Sequence, residues 1–412
     1  MIATPGVQAG VRQNRAFLLA SLSLGHGIAH FYQQSFLVLL PKIATEMGLS
    51  GVGVGSVGMV RHLTSFAVET PGGFVVDMLK RRWGLIFAGC MAFTAVSWAV
   101  AGAVPNFPML ILAVVLISLP GTIWHLPAMA VLSQRFPERR GMAISLHGLG
   151  ANLGNVAGPL VTGALLGVLL LSWRRVAFIY TTPPLLIAAL FWVSLQDIGN
   201  QGVPEKRGMR VRLREALGLV KNPLARGLVA VVLLKGMGFD AIRLFIPIYL
   251  ANELKMSYAL VGVHVALLTA LGTLALPFAG TLSDKFGRKA VLLPGLLAMV
   301  LLSVALVSVG SGIGLSLVIA AMGIFFYSLN QVLRAAVLDL APKGAEATSY
   351  GLTFGSTQAI AAVSPLIAGF FKDALGIEFV FYYAALVIAL AALVLFAIPL
   401  PTDGRQLLGH LR

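Results

Sequence analysis

Apolar residues along this chain come in long runs separated by short polar stretches. The runs cover 16–41, 52–76, 84–104, 109–133, 141–170 and 176–195, then 226–251, 257–282, 290–310, 313–340, 345–371 and 378–399. A helix needs about 20 apolar residues to cross the ~30 Å hydrocarbon core of a bilayer, and every run is long enough. The pattern predicts an all-α integral membrane protein with twelve transmembrane helices in two sets of six. It excludes a membrane β-barrel, whose strands alternate apolar and polar positions. The expected organisation is a six-helix bundle over 1–195, a basic linker over 196–225 and a second six-helix bundle over 226–412. Within the linker, residues 211–220 have the mixed pattern of a short amphipathic helix on the membrane surface.

The two sets repeat each other. Gly73 and Asp77, after the second run, recur as Gly280 and Asp284 after the eighth, at an offset of 207. Gly158, Pro159 and Gly163 of the fifth run recur as Ser364, Pro365 and Gly369 of the eleventh, at an offset of 206. Gly25-His26-Gly27 has its counterpart in Gly236-Met237-Gly238. Two such repeats are the arrangement expected of an alternating-access transporter, with the substrate near the midplane between the halves.

Composition sharpens this picture. Of 412 residues, 58% are hydrophobic and 11% charged, where a soluble domain carries about 25% charged residues. A soluble enzyme, a disordered chain and a nucleic-acid-binding protein are excluded. The net charge of +15 reads as topology, because cytoplasmic loops collect Lys and Arg. With both termini cytoplasmic, the inside segments hold 21 of these residues and the outside loops 5. The expected location is a bacterial-type inner membrane, with the first run retained as a span rather than removed as a signal peptide. Cys90 is the one cysteine, so no disulfide or cysteine-based metal site forms within the chain. There is no phosphate-binding Gly-x-x-x-x-Gly-Lys-Ser/Thr loop and no spaced catalytic set. The expectation is a non-enzyme without cofactor, acting as a monomer on a small molecule and protons.

The residues also carry a resemblance. The run from Gly280 through Ser283, Asp284, Lys285 and Gly287 to Arg288 and Lys289 resembles the loop signature of the major facilitator superfamily. The copy from Gly73 through Asp77 to Lys80, Arg81 and Arg82 matches less fully, with Met78 and Lys80 where a basic residue and a glycine are usual. Gly25-His26, the stretch Pro120 to Pro127 containing Trp124 and His125, and the stretch Gly148 to Pro159 are similar to the fosmidomycin-resistance branch. That branch has a His-Pro pair where this chain has His125-Leu126-Pro127. Gly154, Gly158, Pro159 and Gly163 also resemble the fifth-span signature of drug/proton antiporters. The resemblance implies efflux, a cavity lined by spans one, four, seven and ten, and a gating role for Gly73, Asp77, Arg81, Gly280, Asp284 and Arg288.

Ionisable groups inside spans are costly and mark cavities or partners. His26 and His30 lie four apart on one face of span one, with Gln33 and Gln34 a turn on. They suit a proton site, substrate hydrogen bonding or metal ligation, against the plain alternative of helix packing. No metal site is assigned, since two histidines lacking a third ligand are weak evidence. His125 sits between Trp124 and Pro127, whose missing N–H frees a carbonyl, and Trp124 offers an apolar wall. Asp240 and Arg243, three apart in span seven with Lys235 a turn before, form either a structural bridge or a coupling element. Arg334 of span ten would bridge to another helix, plausibly at Asp240, or grip an anion with two hydrogen bonds. Glu69, after Arg61 and His62 in span two, is a candidate proton carrier or gate residue. His147 and His264 read as structural, and Gly150, Gly154 and Gly158 as a packing stripe.

The function expected from these readings is proton-coupled export of a small organic compound, the arginines favouring an anionic one. Substrate binding falls to His26, His30, Gln33, Trp124, His125, Arg243, Gln331 and Arg334, Gln331 being the repeat counterpart of His125. Proton coupling falls to Asp240, Glu69 and His30. Three alternatives stay open. One is uptake of a small anion through the same arginines, and another a sensor that has lost transport. The last is carriage of a divalent metal or metal chelate by His26, His30 and His125, whose binding would fail below about pH 6 as imidazoles protonate.

Overall fold

A computed structural model describes residues 14–78, 82–195, 198, 222–340 and 346–400. Among them, helix is the only extended regular structure. The elements are α1 (Arg15–Glu46), α2 (Gly51–Met78), α3 (Trp83–Ala103), α4 (Phe107–Arg135), α5 (Arg140–Gly167), α6 (Trp173–Ile179) and α7 (Thr182–Ser194). After the linker come α8 (Pro223–Ile248), α9 (Tyr258–Phe286), α10 (Arg288–Ser308), α11 (Ile313–Asp339), α12 (Glu346–Ala361), α13 (Ser364–Leu375) and α14 (Glu378–Ala397). The twelve spans of the sequence pattern are all present as helix. Two of them are broken where proline removes a helical N–H. Span six divides into α6 and α7 ahead of Pro183 and Pro184, and span eleven into α12 and α13 ahead of Pro365. The proposed surface helix at 211–220 lies outside the described residues.

Nine helical segments among the described residues are both long and apolar enough to cross a membrane. The other three long helices are α1, α2 and α8, of 32, 28 and 26 residues. At ~1.5 Å per residue they are long enough to span. Their lower hydropathy comes from the histidines, glutamines and charges they bring into the membrane.

The described chain packs as two compact units, one of residues 1–36, 67–158 and 171–204, the other of 37–66, 159–170 and 205–412. The core of the first unit is built from Leu18, Leu22, Trp83, Phe87, Met91, Trp124, Leu132 and Phe191. Close approach of α1 and α5 shapes this unit. A Cβ on Gly150, Gly154 or Gly158 would collide with the backbone carbonyls of Ser23, Gly27 and Phe31 respectively. The glycine stripe read from sequence is therefore a helix–helix contact made backbone to backbone.

The second unit uses the same device twice. A Cβ on Gly163 would strike Gly262 and Tyr258 of α9, and one on Gly369 would strike Gly51 of α2. The repeated Pro-x-x-x-Gly of spans five and eleven thus closes each time on a second-position span of the repeat. Asp373 accepts hydrogen bonds from the backbone N–H groups of Gly51 and Val52 at the start of α2, where the helix dipole favours a carboxylate. Between α9 and α10, Gly287 has φ 91°, a conformation that suits glycine.

Candidate functional site

Two polar clusters stand inside the spans, one in each unit. The first is made of histidines. The α1–α5 contact sets the register that brings His147 and Asn155 of α5 to His26 and His30 of α1. His125 joins from α4, between Pro120 and Pro127. The His26 ring lies 4.7 Å from His30, 4.7 Å from His125 and 4.0 Å, stacked, from His147, centroid to centroid. His30 and His125 are 5.7 Å apart.

Hydrogen bonds fix two of these imidazoles. His26 Nδ1 donates to the carbonyl of His147 at 2.9 Å, and His30 Nδ1 to Oδ1 of Asn155 at 3.0 Å. Both acceptors are carbonyl oxygens, so each Nδ1 carries the proton and each Nε2 the lone pair. His26 is only 7% exposed, and its Nε2 has no hydrogen-bond partner. Neither ring nitrogen of buried His147 makes a hydrogen bond of normal geometry. A buried polar atom left unpaired costs about 1–3 kcal/mol, so these unpartnered nitrogens set the cluster apart from ordinary packing histidines.

Gln33 lies beside this group, its amide occupying the space that a Cβ on Gly121 would take. Trp124 does not form an open wall. It is fully buried against Gly25, with Phe87 at 4.7 Å and Phe191 at 6.0 Å. The carbonyl of Leu116, freed by Pro120, lies 3.1 Å from the Ser97 hydroxyl.

The second cluster is charged. Asp240 Oδ1 accepts from Arg243 at 2.8 Å, and Oδ2 lies 3.2 Å from His62 Nε2. Arg61 is the chain neighbour of His62 on α2. Lys235, 3% exposed, donates to Oδ1 of Asn330 and lies 4.3 Å from the Phe239 ring centroid. Gln331 and Arg334 share an exposed face of α11, with Arg334 5.9 Å from the Phe354 ring. An arginine within a span ordinarily faces a cavity or a partner rather than lipid. The contacts of Asp240 here are Arg243 and His62, where sequence spacing suggested Arg334 as a cross-helix partner.

Of the gating residues, Asp284 pairs with Arg288, which also reaches Asp339 at 2.9 Å and the Ser283 hydroxyl at 2.7 Å. Gly280 has open space where a Cβ would stand. Gly73 and Asp77 fall within α2, but their side chains, like that of Glu69, lie outside the described residues, as does Arg81. Sequence reasoning missed His62, His147, Asn155 and Asn330 as site residues. Their positions follow from how helices register against one another, which no single span displays. His264 is the contrasting case: its Nδ1 meets the carbonyl of Leu260 at 2.8 Å and its Nε2 the Ser316 hydroxyl at 3.0 Å. It is a satisfied packing histidine.

Comparison with known proteins agrees with the fold. The family profile of the Major Facilitator Superfamily matches residues 22–274 and 228–410, and this chain belongs to that family. It is 23% identical over 395 residues to the fosmidomycin resistance protein of Escherichia coli strain K12, covering 92% of each chain. A bacterial homolog of the human lysosomal transporter Spinster, solved inward-facing and unoccupied, superposes with a TM-score of 0.82 at 16% identity, over 98% of this chain and 99% of that one. A D-xylose-proton symporter does so with a TM-score of 0.73 at 15% identity, over 95% and 99%. The chain is a multi-pass membrane protein of a secondary-transporter family, with the fold of a transporter rather than an enzyme.

Proposed function

We propose that this protein exports a small organic anion from the cytoplasm in exchange for protons. The observation that carries the reading is the charge of the second cluster. Arg61, Lys235, Arg243 and Arg334 lie within its spans, against one described carboxylate, Asp240. A membrane-embedded surplus of cations is costly unless an anion or water compensates it, and guanidinium groups grip carboxylate or phosphonate oxygens with paired hydrogen bonds.

Coupling follows from the same group. Asp240 sits between Arg243 and His62, so protonating its carboxylate would release Arg243 to the anion. Glu69 is a further proton carrier in this scheme. Gln331 supplies an uncharged hydrogen-bonding group on the same face of α11 as Arg334. Bundles 1–195 and 226–412 would rock as the alternating elements. The Asp77 and Asp284 loops, with Gly73, Arg81, Gly280 and Arg288, would latch the cytoplasmic side. The likeness to a resistance protein favours export over uptake, and both termini face the cytoplasm of a bacterial inner membrane in this reading.

The test uses purified full-length protein in liposomes loaded with a pH-sensitive dye. Phosphonate and carboxylate antibiotics and common metabolite anions are added one at a time. Proton movement driven by an anion, and lost in Asp240→Asn, is the expected result. Anion flux with unchanged pH dependence in that variant would remove Asp240 from the proton path. Absence of flux for every anion would overturn the reading.

A further inference from the structure

We infer that His26, His30 and His125 form a binding site for one divalent transition-metal ion, a ligand distinct from the organic anion of the second cluster. Each of the three offers a ring nitrogen, and these atoms lie within 4.8 Å of one another. In a tetrahedral site with metal–nitrogen bonds of about 2.05 Å, ligand nitrogens stand about 3.4 Å apart. Small rotations of three side chains therefore close the site without moving a helix.

The hydrogen bonds around the cluster are those a metal site needs. A ligating histidine almost always donates its other N–H to a carboxylate, a backbone carbonyl or water, which fixes the tautomer and aims the lone pair. His26 does this with the His147 carbonyl and His30 with Asn155. The Nε2 of His26 is thereby left as an electron-pair donor. The Nε2 of His26 has no partner although the residue is more than nine-tenths buried. His264, in the other unit, has the same side chain with both nitrogens occupied by protein groups, so an orphaned imidazole nitrogen is not general to this molecule.

Donor chemistry selects the ion. Three neutral imidazoles suit Zn2+, Co2+, Ni2+ or Cu2+, whereas Mg2+ and Ca2+ require oxygen ligands. Three protein donors leave one coordination position open, as in exchangeable rather than closed structural sites. His147 and Asn155 are positioning residues: one holds His26 by its carbonyl and stacked ring, the other orients His30.

The test is titration of the full-length, chelator-stripped protein in detergent with Zn2+ or Co2+ alone, followed by calorimetry and, for Co2+, by its visible spectrum. One equivalent per chain is expected, with a nitrogen-ligated tetrahedral Co2+ spectrum. His30→Gln and His125→Gln should each abolish it, and His62→Gln should leave it intact. Asn155→Leu should weaken it about 10–100-fold, and Asn155→Asp, which keeps the acceptor, should restore it. Unfolding temperature checks that each variant is folded, and two separate ligand variants guard against one that is not. Failure of the wild type to bind, or unchanged binding in both His30→Gln and His125→Gln, would overturn the inference. Equal loss in His62→Gln would move the site elsewhere and do the same. Anion-driven proton flux is measured separately, so either reading can fail alone.

Discussion

The two clusters answer the same problem, polar groups inside a membrane, in opposite ways. The first unit collects four imidazoles, two of them buried, and leaves ring nitrogens of His26 and His147 without hydrogen-bond partners. The second collects full charges, pairs the carboxylate with Arg243 and His62, and keeps Gln331 and Arg334 on an exposed face of α11. Imidazole is neutral and borderline-soft, so it can be buried at moderate cost and waits for an electron-pair acceptor. Guanidinium groups cannot be neutralised so readily and call for a compensating anion. The difference teaches that one chain holds two recognition chemistries, one of electron-pair donors and one of charge.

The largest expected effect is at the α1–α5 contact that builds the first cluster. Gly154→Ala would put a methyl group into the backbone carbonyl of Gly27, which no side-chain rotation relieves. Overpacking of this kind costs typically 1–3 kcal/mol and more where backbone must move. Unfolding temperature in detergent should drop, and the His30–Asn155 pairing should be lost with it. The charged cluster, standing in the other unit, should keep its anion affinity in whatever fraction stays folded. Parallel loss of anion binding in the folded fraction would show the two clusters to be coupled.

Next in size is Asp240→Asn. It removes the one described carboxylate of the second cluster and leaves Arg243 and His62 without their shared partner. Uphill, proton-driven transport should be abolished while anion binding at fixed pH survives, as read by the dye assay and by calorimetry. Arg334→Gln comes third. A hydrogen bond to a charged group is worth about 1.5–3 kcal/mol, so anion affinity should fall roughly 10–100-fold with little change in unfolding temperature, because Arg334 is exposed.

The fold was legible in the sequence because the membrane demands long apolar runs and a repeat leaves fixed offsets. What the offsets could not supply was rotation about the helix axis. A shift of one residue turns a side chain by about 100°, so the contact of Asn330 with Lys235 was not readable from the offset that marked its neighbour Gln331. The spacing of His26 and His30 was readable within one helix. His147 and Asn155 were not, because their approach depends on which helix the glycine stripe of α5 meets. Trp124 looked like a ligand wall from its neighbours in sequence, yet Gly25 across the contact makes room for it as core. Asp240 and Arg243 could be paired from their spacing, but His62 comes from α2 and required the tertiary structure.

The smallest expected effect separates burial from function at Lys235. Its ammonium group is deeply buried, touches Asn330 and Phe239, and has no carboxylate within salt-bridge distance among the described residues. Replacing a buried charge by an apolar side chain of similar volume is often neutral or stabilising, whereas losing the bond to Asn330 leaves an amide oxygen short of a donor. The two terms oppose each other, so Lys235→Met should change stability by no more than about 1 kcal/mol. Lys235 would then be retained for charge alone, and anion affinity should fall in Lys235→Met although folding does not. Metal binding in the first unit should be unaffected. A large drop in unfolding temperature with unchanged anion affinity would instead make Lys235 a structural residue. The cation surplus of the second cluster would then rest on its arginines.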